Sequence, residues 1–184
     1  MNKIWIIAIA VVVLIGGVMV SSYNGLISMS EQVNSQWSQV DNQLQRRSDL
    51  IPNLVNTVKG YAAHEQQAIQ SVSDARAKLG GAQSPADKSA ANDQLSGALG
   101  RLMMIVENYP DLKANQNFQA LQDELADTEN RIAVARRDYN NVVQVYNARI
   151  RSFPTSVLAR VFGFESREYF KAAEGAKETP KVQF

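Results

Sequence analysis

Cysteine is absent from this chain of 184 residues. Disulfides, thiolate metal sites and cysteine nucleophiles are therefore excluded, and the chain would behave alike on either side of a membrane. A single histidine, His64, removes nearly every metal or acid–base constellation that needs two imidazoles. Neither sign of charge is in excess, with 19 basic against 18 acidic residues, so no basic surface for nucleic acid is implied. Arg46-Arg47 and Arg136-Arg137 have acids close by and read as solvated helix surface. Locally, charge is missing altogether from Ile4 through Ser30.

That uncharged opening is a membrane anchor by length. Ile4–Val20 is apolar or glycine throughout, and continuing to Tyr23 gives a helix of about 30 Å, the thickness of a hydrocarbon core. Trp5 and Tyr23 sit at its two ends, where amphipathic rings favour the headgroup level. A cleaved signal peptide is the competing reading, with Val20-Ser21-Ser22 as a small-residue site, although the run is long for such a leader. Lys3 precedes the span, and the first basic residue after it is Arg46. The positive-inside rule therefore favours a bundle outside the cytoplasm.

From Val33 the apolar residues step by four and three. One seam position runs Trp37, Leu44, Ile51, Val58, Glu65, Val72 and Leu79; its partner runs Val33, Val40, Arg47, Leu54, Tyr61, Ala68 and Ala75. A repeat of about 3.5 residues held that long predicts one continuous coiled-coil-type helix, ended by Gly80-Gly81. Pro52 is the one place where it could break. Ser84-Pro85, with Asp87 following, predicts the start of a second helix, which Pro110 stops. A third long helix carries Phe118, Leu125, Ile132, Tyr139, Tyr146 and Phe153 on one seam position. Leu121, Thr128, Ala135, Val142 and Arg149 lie on the other, and Pro154 ends the run. A short helix over Ser156–Phe162, capped by Gly163, completes the pattern.

The predicted fold is all-α: an N-terminal transmembrane helix followed by an antiparallel bundle of three long helices plus a short C-terminal helix. The expected domains are an anchor and junction at 1–30, a helical bundle at 31–173 and a disordered tail at 174–184. As straight helices Val33–Leu79 spans about 70 Å and Pro85–Glu107 about 35 Å. The second could return only halfway along the first, and the third would then lead away. Val33, Trp37, Val40 and Leu44 would be left as an apolar stripe for self-association or for another membrane protein.

His64-Glu65 begins like a zincin helix, but position 68 is Ala68, and no Glu-x-x-His occurs. Arg47, Glu65 and Arg149 occupy seam positions where leucine would stabilise more, and polar seam residues commonly set register or oligomeric state. Tyr139-Asn140 and Tyr146-Asn147 line one helix face a heptad apart, with the asparagines read as solvated amides. Gly-x-Ser-x-Gly and phosphate-loop motifs are absent. Neither catalysis, a metal nor a cofactor is expected, and no small-molecule ligand is assigned.

Taken together these residues resemble the LemA family of bacterial membrane proteins. The specific run is Arg46-Arg47, Asp49-Leu50-Ile51-Pro52-Asn53-Leu54-Val55, supported by Lys59-Gly60-Tyr61, His64-Glu65, Tyr109-Pro110, Thr128-Glu129-Asn130-Arg131 and the Tyr-Asn pairs. The resemblance implies a single-pass protein of the bacterial inner membrane with an antiparallel helical bundle and no established catalytic residues. It also implies a bundle in the cytoplasm, against the charge rule. The expected role is a non-catalytic scaffold or interaction module of the cell envelope, acting as a homo-oligomer or with another membrane protein. A sensory bundle relaying to such a partner is the alternative.

Overall fold

A computed structural model describes residues 3–62 and 64–171, so the expected tail at 174–184 lies outside the described residues. The elements are α1 (Lys3–Lys59), α2 (Gln66–Gly81), α3 (Pro85–Val106), α4 (Pro110–Lys113), α5 (Gln116–Arg151) and α6 (Thr155–Phe162). No strand occurs among the described residues. The fold is all-helical, with one apolar N-terminal helix long enough to cross a membrane. The chain divides into two compact units, Met1–Trp37 with Asp138–Arg167 and Ser38–Arg137 with Glu168–Phe184.

In the second of these units the chain runs up, down, up and down. Arg76 of α2 reaches Ser48 of α1, Lys78 reaches Gln94 across the α2–α3 turn, and Arg47 of α1 meets Asn92 of α3 and Glu129 of α5. The single helix expected from Val33 to Leu79 is therefore two helices, ended at Lys59 and restarted at Gln66. The heptad concealed the reversal because α2 buries Ile69, Val72, Ala75 and Leu79 in the phase that α1 had set. The end of α1 closes by short backbone bonds, Tyr61 N–H to Val58 O at 3.0 Å and Ala62 N–H to Val58 O at 2.8 Å. Tyr61, placed on the seam by its spacing, is exposed.

Pro52 does not break α1. Proline has no N–H for the carbonyl four residues back, which here is Ser48, and the Arg76 Nε–H donates to that carbonyl oxygen at 2.9 Å instead. Ser84 caps α3, its Oγ accepting from the Asp87 N–H at 3.0 Å, as the Ser-Pro start predicts. Asn115 does the same for α5, accepting from the Phe118 N–H at 3.1 Å.

In the other unit, Leu26 and Val33 of α1 are buried with Tyr139, Val143, Tyr146 and Ile150 of α5. The Trp37 ring packs 5.3 Å from that of Tyr139. The expected free stripe is thus covered. Val33, Val40 and Leu44 are buried, and Trp37 is half-buried against Tyr139. The reason is the direction of α5. It starts beside Tyr61, whose hydroxyl accepts from Asn115 Nδ2 at 2.9 Å, and runs antiparallel to α1 instead of leading away from it.

Candidate functional site

Arg47 is the most buried charge of the second unit, its side chain 5 % exposed to solvent. Heptad spacing on α1 turns it inward between α3 and α5. One Nη donates to Asn92 Oδ1 at 2.7 Å and to Ser96 Oγ at 3.0 Å, and the guanidinium pairs with Glu129. Its Nε finds no hydrogen-bond partner among the described residues. Burial draws the guanidinium below its ordinary pKa, against the opposing pull of Glu129 and Asp93. Burial likewise raises the Asp93 carboxyl; Arg136 opposes the rise, Glu129 adds to it and Arg47 opposes it. A guanidinium keeps its proton, so the cluster supplies fixed charge and directed donors, the chemistry of register and recognition.

The other two polar seam residues fare differently. Glu65 lies in the α1–α2 turn and accepts from the Tyr109 hydroxyl at 2.9 Å. That bond leads the causes that hold the phenol above its usual pKa. Arg149 is exposed, which corrects its placement on a seam. An α-helix advances 3.6 residues per turn, so a heptad stripe drifts by about 20° per repeat. By the end of α5 the inward positions have become Val143 and Ile150. Phe153 is exposed as well, since α5 stops at Arg151. Asn147, read as a solvated amide, is buried and bound twice to the Arg167 backbone. It accepts from the N–H at 2.8 Å and donates to the carbonyl at 2.9 Å. His64 is exposed.

The reversal at Lys59 creates a groove that a continuous helix could not have formed. It lies between α2 and α3, encloses about 760 Å³, and is lined by Gln67, Gln70, Asp74, Lys78, Gln94 and Arg101 among others. Lys78 Nζ donates to Gln94 Oε1 at 3.1 Å and Arg101 to Ser71 Oγ at 3.3 Å across it. Amides and both signs of charge make this a polar surface. The sequence signal for it was Gly60 followed by a tyrosine at a seam position.

The first unit carries a different surface. α6 buries Thr155, Leu158 and Ala159, while Val157, Val161 and Phe162 face outward. Gly163 ends the helix at φ 73°, a conformation that favours glycine, and the chain turns so that Phe162 and Phe164 both meet Tyr23.

Fold and surfaces together define a helical protein with one apolar helix suited to a membrane. The chain matches the LemA family over residues 36–184 and belongs to it. It is 31 % identical over 186 residues to the magnetosome protein MamQ of Magnetospirillum gryphiswaldense, covering 87 % of this chain and 68 % of that one. The magnetosome protein MamQ 2 of Paramagnetospirillum magneticum is 29 % identical over 207 residues, covering 98 % of this chain and 76 % of its own. Protein LemA of Metamycoplasma hominis is 25 % identical over 161 residues, covering 85 % and 72 % respectively. These relatives and the apolar helix make this a membrane-associated helical protein.

Proposed function

We propose that the protein is a non-catalytic scaffold of the bacterial inner membrane, with residues 1–30 as anchor and the bundle as the part that engages another membrane protein or a second copy. The carrying observation is that one unbroken helix, Lys3–Lys59, holds both the apolar run and the residues that organise the bundle. Similarity to magnetosome proteins suits a membrane-organising role. The polar α2–α3 groove is the recognition surface, because its amides can satisfy a partner's backbone or side chains. Lys3 before the run favours a bundle outside the cytoplasm.

A photo-crosslinking residue at Gln94 in the full-length chain tests this in intact membranes, with one at Val134 on α5 as the control. A discrete adduct at Gln94 is expected, and its mass distinguishes a second 20.3 kDa copy from another protein. Adducts at neither position, or equally at both, would refute the scaffold reading. Ala114, exposed beside α4, reports sidedness as Ala114→Cys: an impermeant maleimide labels it in spheroplasts if the bundle is outside. Protection until lysis places the bundle in the cytoplasm.

A second reading, ligand sensing, rests on the amides and charges of both signs that line the open α2–α3 groove. A small molecule that raises the melting temperature of the full-length protein, and loses that effect with Arg101→Ala, would support it.

A further inference from the structure

Apart from Phe162, whose ring meets Tyr23, the apolar outer side of α6 is open. Phe153 is 85 % exposed and Val161 72 %, with Val157 also open. Val157 and Val161 stand four residues apart and so share one side of α6, away from the buried Leu158 and Ala159, while Phe153 is exposed in the turn that precedes the helix. A clustered apolar face of this kind marks contact with something other than water.

Its position indicates what that is. The Phe162 ring lies 4.9 Å from Tyr23 and the Phe164 ring 5.8 Å from it. Tyr23 follows the apolar run's last residue, Val20, by about 5 Å along the helix axis. Farther along α1, Arg167 reaches the Ser30 hydroxyl at 3.2 Å. The outer side of α6 therefore lies at the height where the run ends.

Basic residues are in excess in the segment that carries α6. Arg149, Arg151, Arg160 and Arg167 outnumber the two carboxylates of that stretch, Glu165 and Glu168, whereas the whole chain carries 19 basic and 18 acidic residues. Arg151 and Arg160 line one open groove of about 610 Å³ between the end of α5 and α6, which Glu165 also lines. Apolar side chains beside arginines are the composition of a helix lying in a lipid interface, where rings and valines enter the acyl boundary and guanidinium groups bind phosphates.

We propose that α6 and Phe153 form a second, peripheral contact with the same bilayer that the N-terminal helix crosses. Arg151 and Arg160 engage anionic headgroups there. The inference rests on the anchor reading above. A chain anchored at two points cannot swivel freely about its span, so α6 sets the orientation of its own unit on the membrane.

The absence of native cysteine makes the test direct. Full-length protein carrying Val161→Cys, Val12→Cys or Val134→Cys is labelled with an environment-sensitive dye. It is then reconstituted in phosphatidylcholine vesicles containing phosphatidylglycerol and lipids with shallow or deep nitroxide quenchers. The dye at Val12 is expected to respond to the deep quencher and that at Val161 to the shallow one, about twofold or more above Val134. Omitting phosphatidylglycerol, or adding Arg151→Gln with Arg160→Gln, weakens shallow quenching at Val161. Quenching at Val12 but not at Val161 overturns the inference, leaves the anchor standing and gives the patch to a protein partner. Lack of quenching at Val12 overturns the anchor reading and this inference together. Quenching at Val161 that ignores both lipid charge and the arginine substitutions overturns the headgroup assignment.

Discussion

The unit of Ser38–Arg137 with Glu168–Phe184 keeps polar chemistry inside. Arg47, Ser48, Ser89, Asn92 and Thr128 are all buried there, and among its described residues the exposed large hydrophobics are Tyr61, Met104, Val134 and Tyr169. The unit of Met1–Trp37 with Asp138–Arg167 reverses this. Its interior is mainly Leu26, Val33, Tyr139, Val143, Tyr146 and Leu158, with Asn147 and Thr155 as buried polar groups but no buried charge among its described residues, while Phe153, Val157, Val161 and the run from Ile4 to Val20 face outward. A buried guanidinium needs acceptors around it, and Asn92, Ser96 and Glu129 supply them to Arg47, leaving its Nε unpaired among the described residues. An exposed aromatic face is tolerable only where the surroundings are not water. On the anchor reading proposed above, the difference is that of two solvents for one chain.

Leu26→Ala presses hardest on this contrast. Leu26 is 1 % exposed, so by urea unfolding followed through circular dichroism in detergent truncation should cost about 2–5 kcal/mol if the interior of its unit is closed independently of lipid, and much less if it closes only in a bilayer. Arg47→Ala addresses the other unit. It leaves the buried Asn92 without its donor, while the half-exposed Glu129 is rehydrated, and should cost about 1–3 kcal/mol by the same measurement. A loss below 1 kcal/mol would show that the arginine is solvated and the polar interior illusory.

Effects of that size and below sharpen the picture. Arg76→Ala strips the substitute donor from the Ser48 carbonyl and should cost about 1–3 kcal/mol. In a Pro52→Ala background the restored amide serves that carbonyl, so the same substitution should cost measurably less; equal costs in both backgrounds would disprove the link. Asp93 gives the smallest effect. Its carboxyl is raised, first by burial, so folding favours the protonated form. That contribution is complete below the unfolded pKa of about 3.9 and disappears as pH rises through the folded value. The melting temperature of Asp93→Asn relative to the unaltered chain should therefore climb from acid to neutral pH. A difference that stays level across that range rules out the shift.

Much of the architecture was legible because burial repeats. The seams named Leu44, Ile51, Val58, Leu125, Ile132 and Tyr146 correctly as core, and Ser84-Pro85 marked a helix start. What periodicity could not convey was direction. Val58 and Val72 belong to one heptad phase on helices that run oppositely, and nothing in a 3.5-residue spacing distinguishes continuation from reversal. The error then spread by length: a helix taken to reach Leu79 left α5 nowhere to pair, so Val33, Val40 and Leu44 looked free. Arg149 was misplaced because 3.6 is not 3.5. Leu26, one heptad before Val33, was lost inside the apolar opening, where every residue resembles core. The Arg47 cluster was half visible: the odd residue was plain, but Asn92, Ser96 and Glu129 come from two other helices that only the fold brings together.

The donation from Arg76 to Ser48 carries one more implication. A helix whose missing rung is supplied by a neighbour is straight only while that neighbour stays docked. Were α2 to peel away, the backbone at Pro52 would become the natural elbow of α1, and a bend there would in turn pull the carbonyl out of the guanidinium's reach. Undocking of α2 would thus leave α1 one hydrogen bond poorer beside its only proline.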